Sequence, residues 1–178
     1  MRSLLIVPVC LLAACSDGGG EEKKAATAPA ATMEAGQWET ALEVRSIRST
    51  DKTEPALKAA VGEKESGTAC IPAGSEATPP GALFAGPGYQ CQTQNSYIRN
   101  GRINMSLKCS RPGISGDIMQ TVQASYTGTS FEGTVDTLTY LPGRGDFEMN
   151  RTIAGRKTGA TCAAAPDAGL QASGKSGG

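Results

Sequence analysis

The chain has 178 residues, with 17 Lys and Arg against 17 Asp and Glu, six cysteines and no histidine. Zero net charge excludes the basic surface with which nucleic-acid-binding proteins displace counterions, so no nucleic-acid partner is expected. The absence of histidine removes the commonest general base and the commonest zinc ligand. We therefore expect no cofactor, no metal site and no ordinary catalytic centre.

Residues 1–14 have the layout of a secretory signal peptide. Arg2 gives a positive start, an apolar run follows over residues 4–12, and Ala13 and Ala14 precede Cys15. The run is much shorter than the roughly 18 residues that a membrane-spanning helix requires. Removal of residues 1–14 on export is therefore expected.

The sequence Leu12-Ala13-Ala14-Cys15 resembles a bacterial lipobox, which implies cleavage before Cys15 and lipids on its sulfur and its new amino group. The alternative, ordinary cleavage after Ala14, would leave an exposed and unpaired thiol in an oxidising compartment. Because several acyl chains give stable anchoring, we expect Cys15 to attach the protein to the membrane at the periplasmic face of the envelope. Ser16 favours the outer membrane over the inner one.

One domain is predicted between two flexible segments. Residues 15–33 form a lipidated tether and residues 163–178 a disordered tail, because both lack the large apolar side chains that would offset the ordering entropy. The domain then covers residues 34–162, a usual size for one hydrophobic core.

Apolar and polar residues alternate with a period of two through most of this domain. Trp38, Leu42 and Val44 share a face of the first candidate strand. Later inward positions are Ile103, Met105, Leu107 and Cys109; Ile118, Val122, Ala124 and Tyr126, with Gln120 interrupting that face; Phe131, Gly133 and Val135; and Phe147, Met149 and Ile153. Half-buried antiparallel strands produce such alternation. We predict a mainly β fold, an antiparallel meander forming a curved sheet or half-open barrel, with one short helix and disulfide staples.

The short helix is predicted over residues 54–61. Thr53 is a candidate N-cap, Pro55 lies in the first turn, and Gly62 lies where helices commonly end. So short a helix must dock on the sheet, here through Leu57 and Val61.

Residues 71–88 are rich in proline and glycine and are predicted as a long loop. Leu83 and Phe84 are its only strong apolar anchors. Such long loops are functional or mobile.

Four cysteines remain once Cys10 leaves with the signal peptide and Cys15 is lipidated: Cys70, Cys91, Cys109 and Cys162. An even number in an exported chain predicts disulfides, with three possible connectivities. A redox pair lacks a Cys-x-x-Cys motif, and a zinc site lacks closely spaced ligand pairs.

The hairpin around Asn100-Gly101 helps to choose the pairs. With a three-residue loop over residues 99–101, paired residue numbers add up to 200, so Cys91 and Cys109 lie opposite each other. They form a close, non-hydrogen-bonded pair suited to a disulfide, which leaves Cys70 for Cys162. A two-residue turn would place Cys91 and Cys109 on opposite faces. The favoured register puts on one face Cys91, Thr93, Asn95, Tyr97, Ile103, Met105, Leu107 and Cys109.

The start of the domain, Gly36-Gln37-Trp38-Glu39-Thr40, resembles the Gly-x-Trp-Glu start of a bacterial envelope family known as domain of unknown function 3617. Residues 128–133 and 159–162 are similar to that family's ending. The resemblance covers residues 34–162 and implies a small, exported, cysteine-bearing domain without catalytic residues to carry over. Trp38 is expected in the core.

The remaining route to catalysis is a carboxylate pair, Glu132 with Asp146 or Glu148, which would suit glycoside hydrolysis at the right separation. Their alternation with apolar residues places them instead on the solvent face. Arg144-Gly145-Asp146 is predicted as a solvated turn.

We therefore expect a membrane-anchored, periplasm-facing lipoprotein that acts as a small binding or structural module of the envelope. A hollow apolar pocket would favour an apolar ligand, whereas a filled core with a flat exposed apolar patch would favour an envelope protein as partner. A carbohydrate-acting enzyme is the alternative, and a stress-related envelope protein without a ligand is a third hypothesis. The ligand-binding residues stay unassigned at this point.

Overall fold

Seven strands form one antiparallel sheet in the part of the chain that the computed structural model describes, residues 32–162. In chain order they are β1 Gly36–Ser49, β2 Lys64–Ile71, β3 Gln90–Arg99, β4 Arg102–Arg111, β5 Ile114–Tyr126, β6 Ser130–Tyr140 and β7 Phe147–Gly159. The spatial order is β2-β1-β7-β6-β5-β4-β3, so β2 and β3 are the two edges. The sheet curls into a half-barrel, which confirms the predicted fold class.

The inner face of the half-barrel carries the core. The apolar positions predicted from the period of two lie there, and most are almost completely buried, among them Trp38, Leu42, Ile103, Leu107, Ile118, Val122, Phe131, Val135 and Ile153. Polar and charged side chains alternate with them on the outer face. Trp38 is a core residue as expected, with its ring centroid 5.9 Å from that of Phe131.

Residues 72–89 connect the edge strand β2 to the opposite edge strand β3. This segment contains the one helix of the described residues, α1 Ala82–Ala85, which contacts β1, β2 and β3. Leu83 and Phe84 are buried, as predicted for the anchors of this loop. The Phe84 ring lies 5.0 Å from the Phe131 ring, so α1 fills the interior between the two edges.

The prediction of a helix over residues 54–61 is wrong, because this segment has no regular secondary structure. Thr53 does not cap a helix, since its hydroxyl and its amide both donate to Asp51. Leu57 packs on a second small cluster around Phe147, while Val61 is 70% exposed. Tertiary contacts therefore override the local helical propensity of a segment too short to be stable alone.

The β3–β4 hairpin has the two-residue turn that the sequence disfavoured. Arg99 pairs with Arg102, and both Asn100 (φ 54°) and Gly101 (φ 71°) have positive φ, as a type I′ turn requires. A bulge at Gln94 shifts the register by one residue, so that Cys91 still pairs with Cys109.

The predicted face of β3 is therefore wrong near the turn. Asn95 and Tyr97 pair with Ser106 and Asn104 on the outer face, whereas Ile98 packs against the core. Only on the far side of the bulge do Cys91 and Thr93 share a face with the core residues of β4.

Two disulfides join the predicted pairs of cysteines. Cys70 is bonded to Cys162, with Cα atoms 5.4 Å apart, and Cys91 to Cys109, with Cα atoms 4.0 Å apart. The first bridge links the end of edge strand β2 to the chain after β7. The second joins edge strand β3 to β4, so each edge of the half-barrel is tied by one bridge.

Four predictions fall outside the described residues: the signal peptide at residues 1–14, the lipidation of Cys15, the tether as far as residue 31, and the tail at residues 163–178. Met33, assigned to the tether by composition, is fully buried and belongs to the core. Within residues 32–162, no helix is long and apolar enough to cross a membrane.

Candidate functional site: a buried polar cluster beneath the helix

A buried positive charge lies on the inner face of the half-barrel. Arg151 occupies an inward position of β7, between Met149 and Ile153, and is completely buried. Its Nη2 donates to the carbonyl oxygen of Ala85 at 2.9 Å, and its Nη1 forms an ion pair with Glu65 of β2 at 3.2 Å. Arg151 therefore connects the inner strand β7 both to α1 and to the edge strand β2.

The end of α1 is also held by Gln120, an inward residue of β5. Gln120 Nε2 lies 3.4 Å from the Ala85 oxygen that Arg151 binds, so two side chains donate to one carbonyl. A helix leaves its last carbonyls without partners in the helix, and α1 has no basic residue in its last turn. The sheet thus supplies the donors that the helix lacks.

Two guanidinium groups lie close to the ring of Tyr89, at the end of the connecting segment. The Cζ atom of Arg111 is 4.6 Å from its ring centroid and that of Arg151 is 5.1 Å away. Arg111 also donates to the carbonyl oxygen of Pro87 at 3.2 Å. Both ends of residues 85–89 are consequently fastened to the half-barrel by arginines.

Burial dominates the electrostatics of this region. It raises the pKa of the Tyr89 phenol, against the opposing effect of the charges on Arg151 and Arg111. It lowers the pKa of the Arg151 guanidinium, while Tyr89 and Glu65 act in the opposite direction. An arginine stays protonated under such conditions. Arg151 therefore carries a buried positive charge, and the partly exposed carboxylate of Glu65 is its ion-pair partner.

Several buried polar atoms of this region have no hydrogen-bond partner: Tyr89 Oη, Gln120 Oε1, Thr137 Oγ1 and Arg151 Nε. Thr137 pairs with Gln120 across β5 and β6. Leaving such atoms unpaired is costly, and natural proteins do so rarely. We call these residues, together with Glu65 and Arg111, the Arg151 cluster, and regard it as the candidate site.

Gly86 lets the chain pass close to this cluster. Its φ is +86°, and a Cβ atom there would lie 2.7 Å from Arg151 Nη1 and 3.3 Å from Leu42 Cδ2. Only glycine combines this conformation with this approach. The contact also shows that the guanidinium borders directly on the apolar interior.

The carboxylates considered for catalysis are not brought together. Glu132 pairs with Ala154 near one end of the β6–β7 hairpin, whereas Glu148 pairs with Leu138 towards the other end. Six residues of a strand separate them, which corresponds to about 20 Å. Glu148 binds Arg48, and Asp146 accepts hydrogen bonds from Thr139 and Leu141.

Residues 32–162 contain no group of three or more His, Cys, Asp or Glu residues that could hold a metal ion. The four cysteines of the domain are occupied by the two disulfides.

Two members of the Arg151 cluster left a signal in the sequence. Gln120 interrupts an apolar face, and Arg151 falls at the inward position between Met149 and Ile153. A polar residue at a position that the period of two assigns to the core is the signal to search for. Tyr89 carries no such signal, because it follows a loop without periodicity.

The comparisons with known proteins agree with the resemblance at the start of the domain. No curated protein and no solved structure matches the chain. The family described as "Protein of unknown function (DUF3617)" matches residues 33–162, which include every strand, both disulfides and the Arg151 cluster. The chain therefore belongs to the DUF3617 family.

Proposed function

We propose that this protein is a lipid-anchored, periplasm-facing envelope lipoprotein whose half-barrel binds an apolar molecule, with residues 72–89 acting as a lid. One observation carries the binding proposal. The side chains of Leu83 and Phe84, from a short helix in a connecting loop, occupy the interior between the two free edges. We interpret them as the protein's own substitute for a ligand.

The local structure of the lid gives its helix little stability of its own. Its helix has only four residues and no side-chain cap at its start. Positive φ values at Gly86 and Gly88 follow the helix. Long loops that carry their own buried side chains are frequently lids of binding sites.

The energies permit such an exchange. Exposing Leu83 and Phe84 costs about 5 kcal/mol in total, and burying an alkyl chain gains about 0.8 kcal/mol per methylene. An alkyl chain of about six or more methylenes would therefore offset the exposure of these two side chains. The side chains of Leu83, Phe84 and Ala85 together hold as many carbons as a dodecyl chain, so the volumes are comparable.

The exposed surface does not favour a protein partner instead. The large exposed apolar residues of the described chain are Val61, Tyr97 and Tyr140, and they belong to three different segments. Val61 lies between β1 and β2, Tyr97 on the edge strand β3 and Tyr140 at the end of β6. They do not form the contiguous patch expected of a docking surface.

The binding proposal is tested with two phenylalanine variants. Phe84→Ala empties part of the interior, whereas Phe147→Ala removes an equally buried ring from the second cluster. Each should lower stability by about 3–5 kcal/mol. Dodecanol should bind more tightly to Phe84→Ala than to the unchanged protein, and Phe147→Ala should not show this gain.

If dodecanol binds neither the unchanged protein nor Phe84→Ala, the binding proposal is contradicted. A structural protein without a ligand would then be favoured. If Phe84→Ala does not fold, native mass spectrometry of the unchanged protein from its own envelope decides the matter. A retained apolar molecule is expected there.

The anchoring proposal rests on the lipobox and is tested by the mass of the exported protein. Its N-terminal peptide should begin at Cys15 and carry three acyl chains, and Cys15→Ser should release the protein from the membrane. An unmodified Cys15 in the exported chain would refute the anchoring.

A further inference from the structure

We propose that the apolar ligand carries an anionic head group, a carboxylate or a phosphate monoester, and that Arg151 binds this group in place of the Ala85 carbonyl. The inference rests on the proposed binding function and adds the chemical class of the ligand. It follows from the donors that become free when the lid leaves.

The guanidinium of Arg151 is prepared for bidentate binding along one edge. Nε and Nη2 are neighbouring donors on this edge. Nε has no partner, and Nη2 is bound only to the lid, at Ala85. The opposite donor, Nη1, is held by Glu65 from the sheet and stays in place when the lid moves. Two parallel N–H donors match the oxygens of a carboxylate or phosphate.

Gln120 adds a third donor at the same point. Its Nε2 shares the Ala85 oxygen with Arg151, so both side chains lose this acceptor together. A buried donor without a partner is costly. An incoming oxygen anion would satisfy the two residues in the position that the carbonyl had occupied.

The charge balance favours an anion. Arg111 and Arg151 both lie against the Tyr89 ring, whereas Glu65 is the only acidic partner of Arg151 among the described residues. The cluster thus carries one uncompensated positive charge, and water stabilises a buried guanidinium such as that of Arg151 poorly.

The cluster and the apolar interior are continuous, as an amphiphile requires. The oxygen that Arg151 Nη2 binds belongs to Ala85, which directly follows Leu83 and Phe84 in α1. Leu83 and Phe84 are buried, and the Phe84 ring lies 5.0 Å from the Phe131 ring. A head group in the position of the Ala85 oxygen would therefore place its alkyl chain where Leu83 and Phe84 now lie.

The test compares dodecanoate and dodecyl phosphate, each below its critical micelle concentration, with dodecanol below its solubility limit. Binding to the lipoprotein in nonionic detergent is measured by isothermal titration calorimetry, and the heat of titration into the detergent alone is subtracted. At least one anion should bind the unchanged protein tenfold or more tightly than the alcohol. Arg151→Met should abolish this preference while dodecanol still binds. The matched control Arg156→Met removes an arginine paired with Glu39 on the outer face and should leave the preference unchanged.

The outcomes separate the two proposals. Equal binding of the anions and the alcohol would overturn the head-group assignment and leave apolar binding intact, whereas no binding of any of the three would contradict the proposed function itself. Preference for one anion over the other assigns the head group. If Arg151→Met does not fold, Glu65→Gln replaces it: removal of the competing carboxylate should raise the preference for the anion, and an unchanged or lower preference would overturn the assignment.

Discussion

Arg151 is the residue at which the structure of the domain and its proposed binding role meet. A buried guanidinium costs desolvation energy that one partly exposed glutamate only partly repays. Replacement of such a pair by apolar residues is often neutral or stabilising. A buried charge whose Nε has no partner is therefore better explained by the proposed binding role than by stability.

Gly86 and Gly62 give a matched pair for testing how tightly the lid fits over Arg151. Both have φ +86°, but a Cβ atom at Gly62 would meet open space. Gly62→Ala should cost about 1 kcal/mol from backbone strain alone, and Gly86→Ala about 3 kcal/mol, because the guanidinium must also move. Urea unfolding of the two variants measures the difference, and equal losses would show that Arg151 does not restrain the lid.

Asp51 gives a prediction about acid stability. Its carboxylate accepts hydrogen bonds from the hydroxyl (2.7 Å) and amide (2.9 Å) of Thr53 and from the amide of Gly145 (2.8 Å). These bonds, the Thr53 hydroxyl first, hold the pKa of Asp51 well below its usual range. A lowered pKa stabilises the fold above the pKa of the unfolded chain, about 4, and this contribution is lost as the pH falls further.

Asp51→Asn should therefore be less stable than the unchanged protein at pH 7, and the gap should narrow as the pH falls from about 4 to 2. Denaturant unfolding across this range measures it. Asp117→Asn, on the outer face, is the control and should change the stability little at either pH 7 or pH 2. A gap for Asp51→Asn that stays constant with pH would contradict the explanation.

At the scale of elements, most strands were predictable and the helix was not. β1 and β4–β7 have many alternating positions and follow from the sequence, whereas β2 was not predicted and the face of β3 was wrong near the turn. The segment predicted as a helix over residues 54–61 has residues suited to capping a helix. Thr53 instead donates a hydrogen bond to Asp51, and Leu57 packs against the cluster around Phe147. The real helix has four residues and no capping side chain. Its position depends on contacts with distant strands, which local patterns do not contain.

The β3–β4 hairpin allows the predicted and observed registers to be distinguished. With a two-residue turn and a bulge, deletion of Gln94 removes the bulge and leaves Cys91 opposite Cys109 in a regular ladder. With the three-residue loop and no bulge, the same deletion would move Cys91 to the other face. We expect the Gln94 deletion to retain the Cys91–Cys109 bridge in non-reducing peptide mapping, and free thiols at these positions would contradict the observed register.

At the scale of the whole molecule, the fold is an open half-barrel that the chain closes with its own loop. The alternation of residues predicts the curved sheet, and the number and spacing of the cysteines predict the disulfides, because both patterns are visible in the sequence. Two features arise only when β2 and β3 become opposite edges of one sheet. Leu83 and Phe84 then fill the interior, and Arg151 lies buried on the inner face beneath them. The binding proposal depends on this arrangement.

The most direct test of the account uses Trp38, the only tryptophan of the chain, which is buried in the interior near Phe131. A bromine atom quenches tryptophan fluorescence only at near contact, so 12-bromododecanoic acid reports whether an alkyl chain enters the half-barrel. The account predicts saturable quenching by this acid and none by bromoacetate at the same concentration. Unquenched Trp38 fluorescence up to the solubility limit of the bromododecanoic acid would contradict the claim that the interior binds an apolar molecule.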